Sequence, residues 1–362
     1  MEGKSLGCYY QNMISHKQLK VHFHAQGIAI CKRLKEAGYE AYFVGGCVRD
    51  ALLGIQSNDI DITTNARPAD IHRCFPNAKD TGKAYGTVSV LSDAPELYTD
   101  IQITTYRSDG EYSNQRHPDS IQFEQCIDKD LSRRDFTVNA LAYDPISKEL
   151  IDRYSGIQDL NNKCLKTVGN AKTRFKEDSL RLLRLCRFSA QLSFDVDDTT
   201  KAAFIELSAL SAMPAKERIQ TELEKLMQSK APSKGLLLIK QAAFAKLLLP
   251  GLTGLDDSDI AQLDQYEHKL RWPALIKQLK QRDVFHALNF SNKQERQIKA
   301  FIQHDLDPVK ANFTVKDLAI SGKDLQGMGY SGKQIGDIQK KLLAYVLKDL
   351  SRNSKEHLSN LI

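Results

Sequence analysis

The chain has 362 residues, 41% apolar and 27% charged, with 51 Lys+Arg against 45 Asp+Glu. At roughly 150 residues per domain this predicts about two or three domains, and the composition excludes a disordered chain. No apolar run approaches the roughly 20 residues of a membrane span, and the N-terminus lacks the apolar core and cleavage site of a secretory signal, so a soluble intracellular protein is expected. The seven cysteines are scattered and contain no CxxC pair, which fits reduced thiols better than a disulfide scaffold or a zinc site. Residues 201–362 hold 25 Lys+Arg and 18 Asp+Glu, leaving 26 and 27 in the first 200. A near-neutral front and a basic back suit a catalytic head followed by a tail that meets a polyanion, although an ordinary basic surface has the same count.

In chain order, helical periodicity runs from about His16 to Lys35 and stops at Ala37-Gly38, where glycine offers a C-terminal cap. AYFV (Ala41 to Val44) reads as a short strand running into Gly45-Gly46, and CVRDALL after it as a short helix. NDIDITT (Asn58 to Thr64) alternates like a strand, and Pro68 opens another helix at its first turn. Thr87 to Leu91 and Leu97 to Tyr106 are further strands, and the polar stretch from Ser108 to Ser120 reads as a mobile loop. From Ala171 onward strand signals vanish and helical spacing continues to the end. The fold class is therefore an α/β head joined to an all-helical body.

Asp59 and Asp61 lie two apart on the expected strand, so their carboxylates share a face while Ile60 packs behind. Two convergent carboxylates together with substrate phosphates suit Mg²⁺, which takes oxygen ligands. Such a pair alone is more often a solvated strand face. The preceding VGGCVRD changes the balance, because a strand, Gly45-Gly46 and a helix start turn backbone N–H groups toward a phosphate, and Arg49 adds a charged donor. A glycine turn, an arginine and a DxD strand within seventeen residues favour a nucleotide site with metal.

GGCVRDALLG, a short spacer leading to DIDITTNARP, and the later RRDFTVNALAY resemble the tRNA nucleotidyltransferase and poly(A) polymerase family. TGKAYGTVSV, ITTYRSDGEYSNQRHPDSIQF, IDRYSGIQDL with LKTVG, RFKEDSLRLLRLCRF and ERIQTELEKL follow in the family's order, and LAISGKDLQGMGYSGKQIGDI is similar to the basic tail of its bacterial CCA-adding branch. The resemblance implies a polymerase-β-like nucleotidyltransferase head with a mixed sheet over residues 1–165, a helical neck that selects the nucleotide over 166–250, and a helical body and tail that bind tRNA over 251–362. It implies a cytoplasmic enzyme that adds CCA to tRNA from CTP and ATP, with no obligate protein partner. Asp59 and Asp61 then hold two Mg²⁺ ions. Gly46, Arg49 and Arg134 match phosphate-contacting positions, and Asp135 and Asn139 match positions near the ribose.

The expected selecting motif can also be read chemically. Asp178 and Arg181 lie three apart on what reads as one helix, so they can address one ligand edge. A carboxylate only accepts hydrogen bonds and a guanidinium only donates. Cytosine and adenine each present an amino donor beside a ring-nitrogen acceptor; uracil and guanine present a carbonyl beside an N–H. One Asp–Arg pair would therefore admit C and A and reject U and G, at roughly 1–3 kcal/mol per unsatisfied group. Arg184 and Arg187 continue at three-residue steps and match further nucleotide contacts, while Glu177 is expected to support the helix rather than the base.

The sequence departs from the family at Gln102, where a third acidic residue is common; Asp100 on the same strand face is a possible substitute. An A-adding specialist or a poly(A) polymerase of the same family, and a tRNA-binding protein whose catalysis has decayed at Gln102, are the competing readings. The complete loop from Arg107 to Pro118 argues against a CC-only enzyme, and GKAYGTVSV lacks the Arg-rich segment of poly(A) polymerases. Gln303-His304-Asp305, His22 with His24, and Lys333, Lys340 and Lys341 read as ordinary surface.

Overall fold

Alternation in the short strands places Phe43, Ile62, Val88, Ile101 and Ile103 at the centre of a seven-stranded sheet, each essentially inaccessible to solvent. The computed structural model describes residues 25–82, 86–91, 100–110, 120–210, 213–279, 284–307, 310 and 313–362. It divides into two units, residues 1–245 and 246–362.

The first described element of the first unit is α1 (Ala25–Glu36), which ends just ahead of Gly38 as the periodicity predicts, while the expected start of that helix near His16 lies outside the described residues. Then come β1 (Ala41–Val44), α2 (Gly46–Leu52), β2 (Asp61–Thr64), α3 (Pro68–Cys74), β3 (Lys79–Gly82), β4 (Thr87–Val90) and β5 (Ile101–Thr105). Two short strands, β6 (Arg107–Asp109) and β7 (Ile121–Phe123), pair antiparallel at the base of the expected polar loop, whose residues 111–119 lie outside the described residues. Next are α4 (Ile127–Ser132), a 3₁₀ turn at Thr137–Asn139, β8 (Leu141–Tyr143), β9 (Leu150–Asp152), α5 (Gly156–Asn161) and β10 (Cys164–Leu165).

The sheet order is β3-β4-β5-β2-β1-β8-β9. The β2–β5 pair is parallel and the other five pairs are antiparallel, so the head has the mixed sheet that the resemblance implies. The strand bearing the carboxylates begins later than the alternation suggests, at Asp61 rather than Asn58. Its ladder nevertheless reaches one residue back, since the Gln102 N–H donates to the Ile60 carbonyl at 3.0 Å. Residues 97–99 of the strand expected from Leu97 lie outside the described residues.

The unit closes with α6 (Ala171–Glu177), α7 (Leu180–Leu192), β11 (Asp195–Val196), α8 (Asp198–Ser208), α9 (Lys216–Met227) and α10 (Pro232–Gln241). Helix α7 packs against α9 and α10 and buries Leu182, Leu185 and Phe188, each worth about 1.5–3 kcal/mol when removed from water. Strand β11 falls where no strand was expected. It pairs with β10 through Asp195 N–H to the Lys163 carbonyl and Asp197 N–H to the Leu165 carbonyl, a pairing too short to leave a two-residue periodicity.

The second unit is helical among its described residues. Helices His268–Leu279 and Asn292–Gln303 pack together, with Trp272 edge-on to Phe290 at 5.2 Å. Toward the C-terminus Leu318, Ile320, Leu325, Leu342, Val346 and Leu358 form a separate core cluster. Asp305 pairs with Lys277 at 2.7 Å, and no group of three or more metal-ligating side chains occurs among the described residues. His22 and His24 lie outside the described residues. No described helix is long and apolar enough to cross a membrane.

Candidate active site

Strand β1 delivers the chain to Gly45, whose φ of 75° and ψ of −128° suit glycine, and α2 starts at the next residue. A side chain at Gly45 would place its Cβ 2.8 Å from Arg134 Nη1, so the missing side chain also admits that guanidinium. One turn into α2, Arg49 is buried, donates to Asn139 Oδ1 at 2.6 Å and to Asp50 Oδ1 at 2.8 Å, and lies 5.1 Å from the Phe188 ring centroid. Asn139 in turn donates to Asp135 Oδ1 at 3.1 Å, and Arg184 Nε donates to Asp135 Oδ2 at 2.7 Å. Burial works against ionisation of Asp135, but Arg184 and the Asn139 amide outweigh it and hold the carboxyl well below the usual range. One chain of contacts thus joins α2, the 3₁₀ turn and α7.

Asp59 is exposed just before β2, and Asp61 begins that strand. Burial pushes the Asp61 carboxyl up, Arg134 draws it down, and Asp59 adds to the rise. A partly buried carboxylate whose charge a second one two residues away disfavours is, together with that neighbour, a donor set suited to a hard divalent cation. In the parallel β2–β5 ladder Asp61 is registered with Gln102, so the Gln102 amide shares the face of Asp61 and offers a neutral oxygen where a carboxylate would add charge.

Asp130, on α4, is a hub that the sequence reading did not single out. Its side chain is fully buried, accepts from Arg133 Nε at 3.0 Å and Nη2 at 2.6 Å, from Arg134 Nη2 at 3.0 Å, and from the Thr63 hydroxyl at 3.2 Å. Burial opposes its ionisation, but the two guanidiniums prevail and lower its pKa to about 2. Its spacing three and four residues ahead of Arg133 and Arg134 was legible, but charged pairs of that spacing are common on helices.

The expectation that Asp178 and Arg181 share one helix is corrected. Asp178 is the C-terminal cap of α6 with φ −138° and ψ 108°, and α7 starts beyond it at Leu180. The break arises because Asp178 Oδ1 accepts the Leu180 N–H at 3.0 Å, a local bond that competes with helix continuation. Nor do the two side chains pair. Asp178 Oδ2 accepts from Arg218 Nη2 at 3.1 Å. Arg181 donates to Glu177, to the Arg174 carbonyl at 2.8 Å and to the Arg133 carbonyl at 3.0 Å. Glu177 also takes Arg174 at 2.9 Å, so it anchors Arg181 as well as its own helix.

Further along α7, Arg187 pairs with the buried Glu222 of α9 and lies 3.8 Å from the Phe188 ring centroid, while Arg184 reaches Glu222 at 3.8 Å. Arg218 and Glu222 were not singled out, although their i,i+4 spacing in ERIQTELEKL places both on one face of α9. All eleven residues expected at the site (Gly46, Arg49, Asp59, Asp61, Arg134, Asp135, Asn139, Asp178, Arg181, Arg184 and Arg187) line one cavity of about 900 Å³ within the first unit. Arg107, Arg133, Arg218 and Lys225 line it too, so the cavity holds many basic side chains as well as the carboxylates. A second cavity of about 920 Å³ is lined by Glu40, Asp128, Glu149 and Asp152 with Arg153 as its one basic side chain, a net acidic lining that disfavours a polyphosphate.

Residues 41–166 match the poly A polymerase head domain, and residues 193–255 match the probable RNA and SrmB-binding site of polymerase A. The CCA-adding enzyme of Geobacillus kaustophilus is 40% identical over 253 residues, 70% of this chain and 60% of that protein. That of Limosilactobacillus fermentum is 44% identical over 207 residues, 57% of this chain and 50% of that protein. The matches thus span about half to three-fifths of the length of these curated relatives. Among solved structures, the Bacillus stearothermophilus CCA-adding enzyme in complex with CTP is 28% identical, with a TM-score of 0.71 over 91% of this chain and 94% of that one. The Thermotoga maritima CCA-adding enzyme complexed with tRNA shares the fold, at a TM-score of 0.60 and 20% identity over 96% and 98% of the two chains. With the motifs in order, the mixed-sheet head and these likenesses, the chain belongs to the tRNA nucleotidyltransferase and poly(A) polymerase family.

Proposed function

We propose that this chain completes the 3′-terminal CCA of tRNA from CTP and ATP by nucleotidyl transfer without a nucleic-acid template. The observation that carries this reading is the one cavity lined by the carboxylates Asp59 and Asp61, by several arginines, and by Asp178 and Arg181. The names of the relatives, CCA-adding enzymes, support it.

In this mechanism Arg49 and Arg134 bind the triphosphate by charge-assisted hydrogen bonds beside the backbone of Gly46. Asp135 and Asn139, held by Arg184 and Arg49, orient the ribose. Asp178 accepts from the base's amino group and Arg181 donates to its ring nitrogen, so the protein chooses C or A. The RNA 3′-hydroxyl oxygen bonds to the α-phosphorus, its proton passes to solvent, and the bond from that phosphorus to the bridging oxygen breaks, so that pyrophosphate leaves with the electron pair. Asp59 and Asp61 would hold two Mg²⁺ ions, which would supply activation of that hydroxyl and neutralisation of charge at the transferred phosphoryl group. The head, residues 1–165, carries catalysis and the neck, 166–250, selects the base. The basic body and tail, 251–362, hold tRNA through its phosphates, and the enzyme works in the cytoplasm.

The test uses tRNA transcripts ending before CCA, after C and after CC, each with Mg²⁺ and CTP, ATP or both, resolved by length. Extension of all three to a finished CCA end is expected. Addition only to the CC-ended transcript would replace this reading with an A-adding specialist, long tails with a poly(A) polymerase. Absence of product would favour a tRNA-binding protein, the reading to which Gln102 points.

A further inference from the structure

The outermost strands of the seven-stranded sheet, β3 and β9, are built differently. An edge strand leaves a row of backbone N–H and C=O groups able to pair with another chain, and irregular pairing discourages this. Strand β3 has such an irregularity, a register shift against β4 between Asp80 and Gly82. Strand β9 pairs with β8 without a shift, and no other described strand pairs with its outer side. The ladder fixes which of its groups are free. The Gly45 N–H donates to the Leu141 carbonyl at 3.0 Å, so Leu141 turns its backbone groups toward β1, and Ala142 turns its own toward β9. The Asp144 N–H keeps this alternation by donating to the Glu149 carbonyl at 2.8 Å. Ala142 is registered with Ile151, so Glu149 and Ile151 face β8, while Leu150 and Asp152 turn their N–H and C=O groups outward.

Those groups open into the second cavity, because all five residues from Glu149 to Arg153 line it. A cavity against one face of a strand would touch alternate residues only, so this one takes in the edge itself. Its two walls differ. Tyr42 and Ile151 pack on one core cluster with Ile127 of α4, and by strand alternation Glu40 and Glu149 stand on their side, with Asp128 of α4. Arg153 on that side is paired with Asp128 at 2.8 Å. The Asp152 carboxylate points the other way, where it accepts the N–H groups of Gly156 at 2.8 Å and Ile157 at 3.0 Å and so ties α5 to the strand. That wall presents Ile157, Gln158, Asn161 and Asn162, with no charge among them.

We infer that the β9 edge is a docking site for an extended basic segment of a partner protein, which adds to the sheet as an antiparallel strand. Charge complementarity identifies the occupant. The acidic lining repels RNA phosphates, whereas a strand with lysine or arginine at every second position sets them against Glu40, Asp128 and Glu149 and turns the uncharged residues between them toward α5. The site shares no lining residue with the nucleotide cavity, so the inference is independent of the proposed CCA addition.

The experiment is fluorescence anisotropy with the whole chain and a labelled octapeptide of alternating lysine and valine, at low salt because the attraction is screened. Three further peptides carry glutamate in place of lysine, N-methyl groups on the valine nitrogens, or N-methyl groups on the lysine nitrogens. In an antiparallel addition the residues opposite Leu150 and Asp152 point their side chains toward α5 and their N–H groups toward β9, and these are the valines. Methylation at valine should weaken binding by about tenfold or more, the scale of two lost backbone hydrogen bonds, and methylation at lysine by less than about twofold; the glutamate peptide should not bind. Leu150→Pro removes an outward N–H but keeps the inward bonds of Glu149 and Ile151, so it should match the loss from valine methylation, and Glu149→Lys should weaken binding by about fivefold. Absence of binding by the lysine–valine peptide, or equal affinity for its valine-methylated form, would overturn the inference, the latter because charge alone would then account for binding. If Leu150→Pro does not fold, the peptide series on the unaltered protein decides. A dimer of the chain alone that Leu150→Pro dissolves would give the edge to a second copy and likewise overturn it.

Discussion

Replacing Asp130 by Asn removes a buried negative charge while keeping the shape of the side chain. Two estimates set the size of the effect. Each tenfold change in acidity is worth roughly 1.4 kcal/mol, so the drop from 3.8 to about 2 makes the ionised carboxyl worth on the order of 2 kcal/mol to folding. Removal of one partner from a buried ion pair costs about 3–5 kcal/mol, and Arg133 and Arg134 retain 18% exposure each, which brings the expected cost toward the lower figure. A loss of about 2–4 kcal/mol at neutral pH is therefore expected. The sign with pH follows from the depressed pKa: this stabilisation is complete above 3.8 and is lost as the pH falls through about 2. The wild type should lose its advantage over the variant across that window. Urea unfolding followed by far-UV circular dichroism measures it, because the single tryptophan, Trp272, lies in the second unit and does not report on Asp130. A loss under about 1 kcal/mol, or a difference between the two proteins that does not change with pH, would refute the account of Asp130 as an ionised hub.

Asp61→Asn should abolish nucleotide incorporation while leaving tRNA affinity unchanged in a filter-binding measurement; retained incorporation would remove Asp61 from the metal site. Gln102→Glu places a carboxylate on the face of Asp61 and should lower the Mg²⁺ concentration for half-maximal rate by about fivefold, the effect of roughly 1 kcal/mol of added attraction. An unchanged Mg²⁺ dependence would mean that the Gln102 position does not face the metal. Gly235→Ala on α10 would bring a Cβ to 2.6 Å from the Cys186 carbonyl oxygen on α7 and 2.7 Å from Leu226, so it should destabilise the helical layer by about 1–3 kcal/mol despite alanine's better helix propensity. Unchanged or raised stability would show that α7 and α10 can separate without loss.

The sequence carried a large part of the site because its chemistry is local. The glycine turn at Gly45-Gly46, Arg49 one turn later and the DxD at Asp59 and Asp61 are neighbours along the chain, and both carboxylates line the one cavity although only Asp61 lies on the strand. The order of the motifs gave the family, and periodicity separated the α/β head from the helices. Short pairings such as β10–β11 escaped, since two residues cannot display a period.

What the sequence could not decide is which charged side chain faces which. Local spacing put Asp178 and Arg181 on one helix, whereas the Asp178 carboxylate takes the Leu180 N–H where that helix breaks, and Arg218 takes its other oxygen from forty residues away. Likewise the links from Arg49 to Asn139, from Arg184 to Asp135 and from Arg187 to Glu222 join segments separated by 90, 49 and 35 positions. The reason is physical. A residue's type and its neighbours fix which hydrogen bonds it is able to make, but partial burial makes unpaired charge costly, so the tertiary packing selects the partners that are used. Residue types at local spacing named the chemistry of this site, and packing of α7 against α9 and the 3₁₀ turn at Thr137–Asn139 determined its wiring.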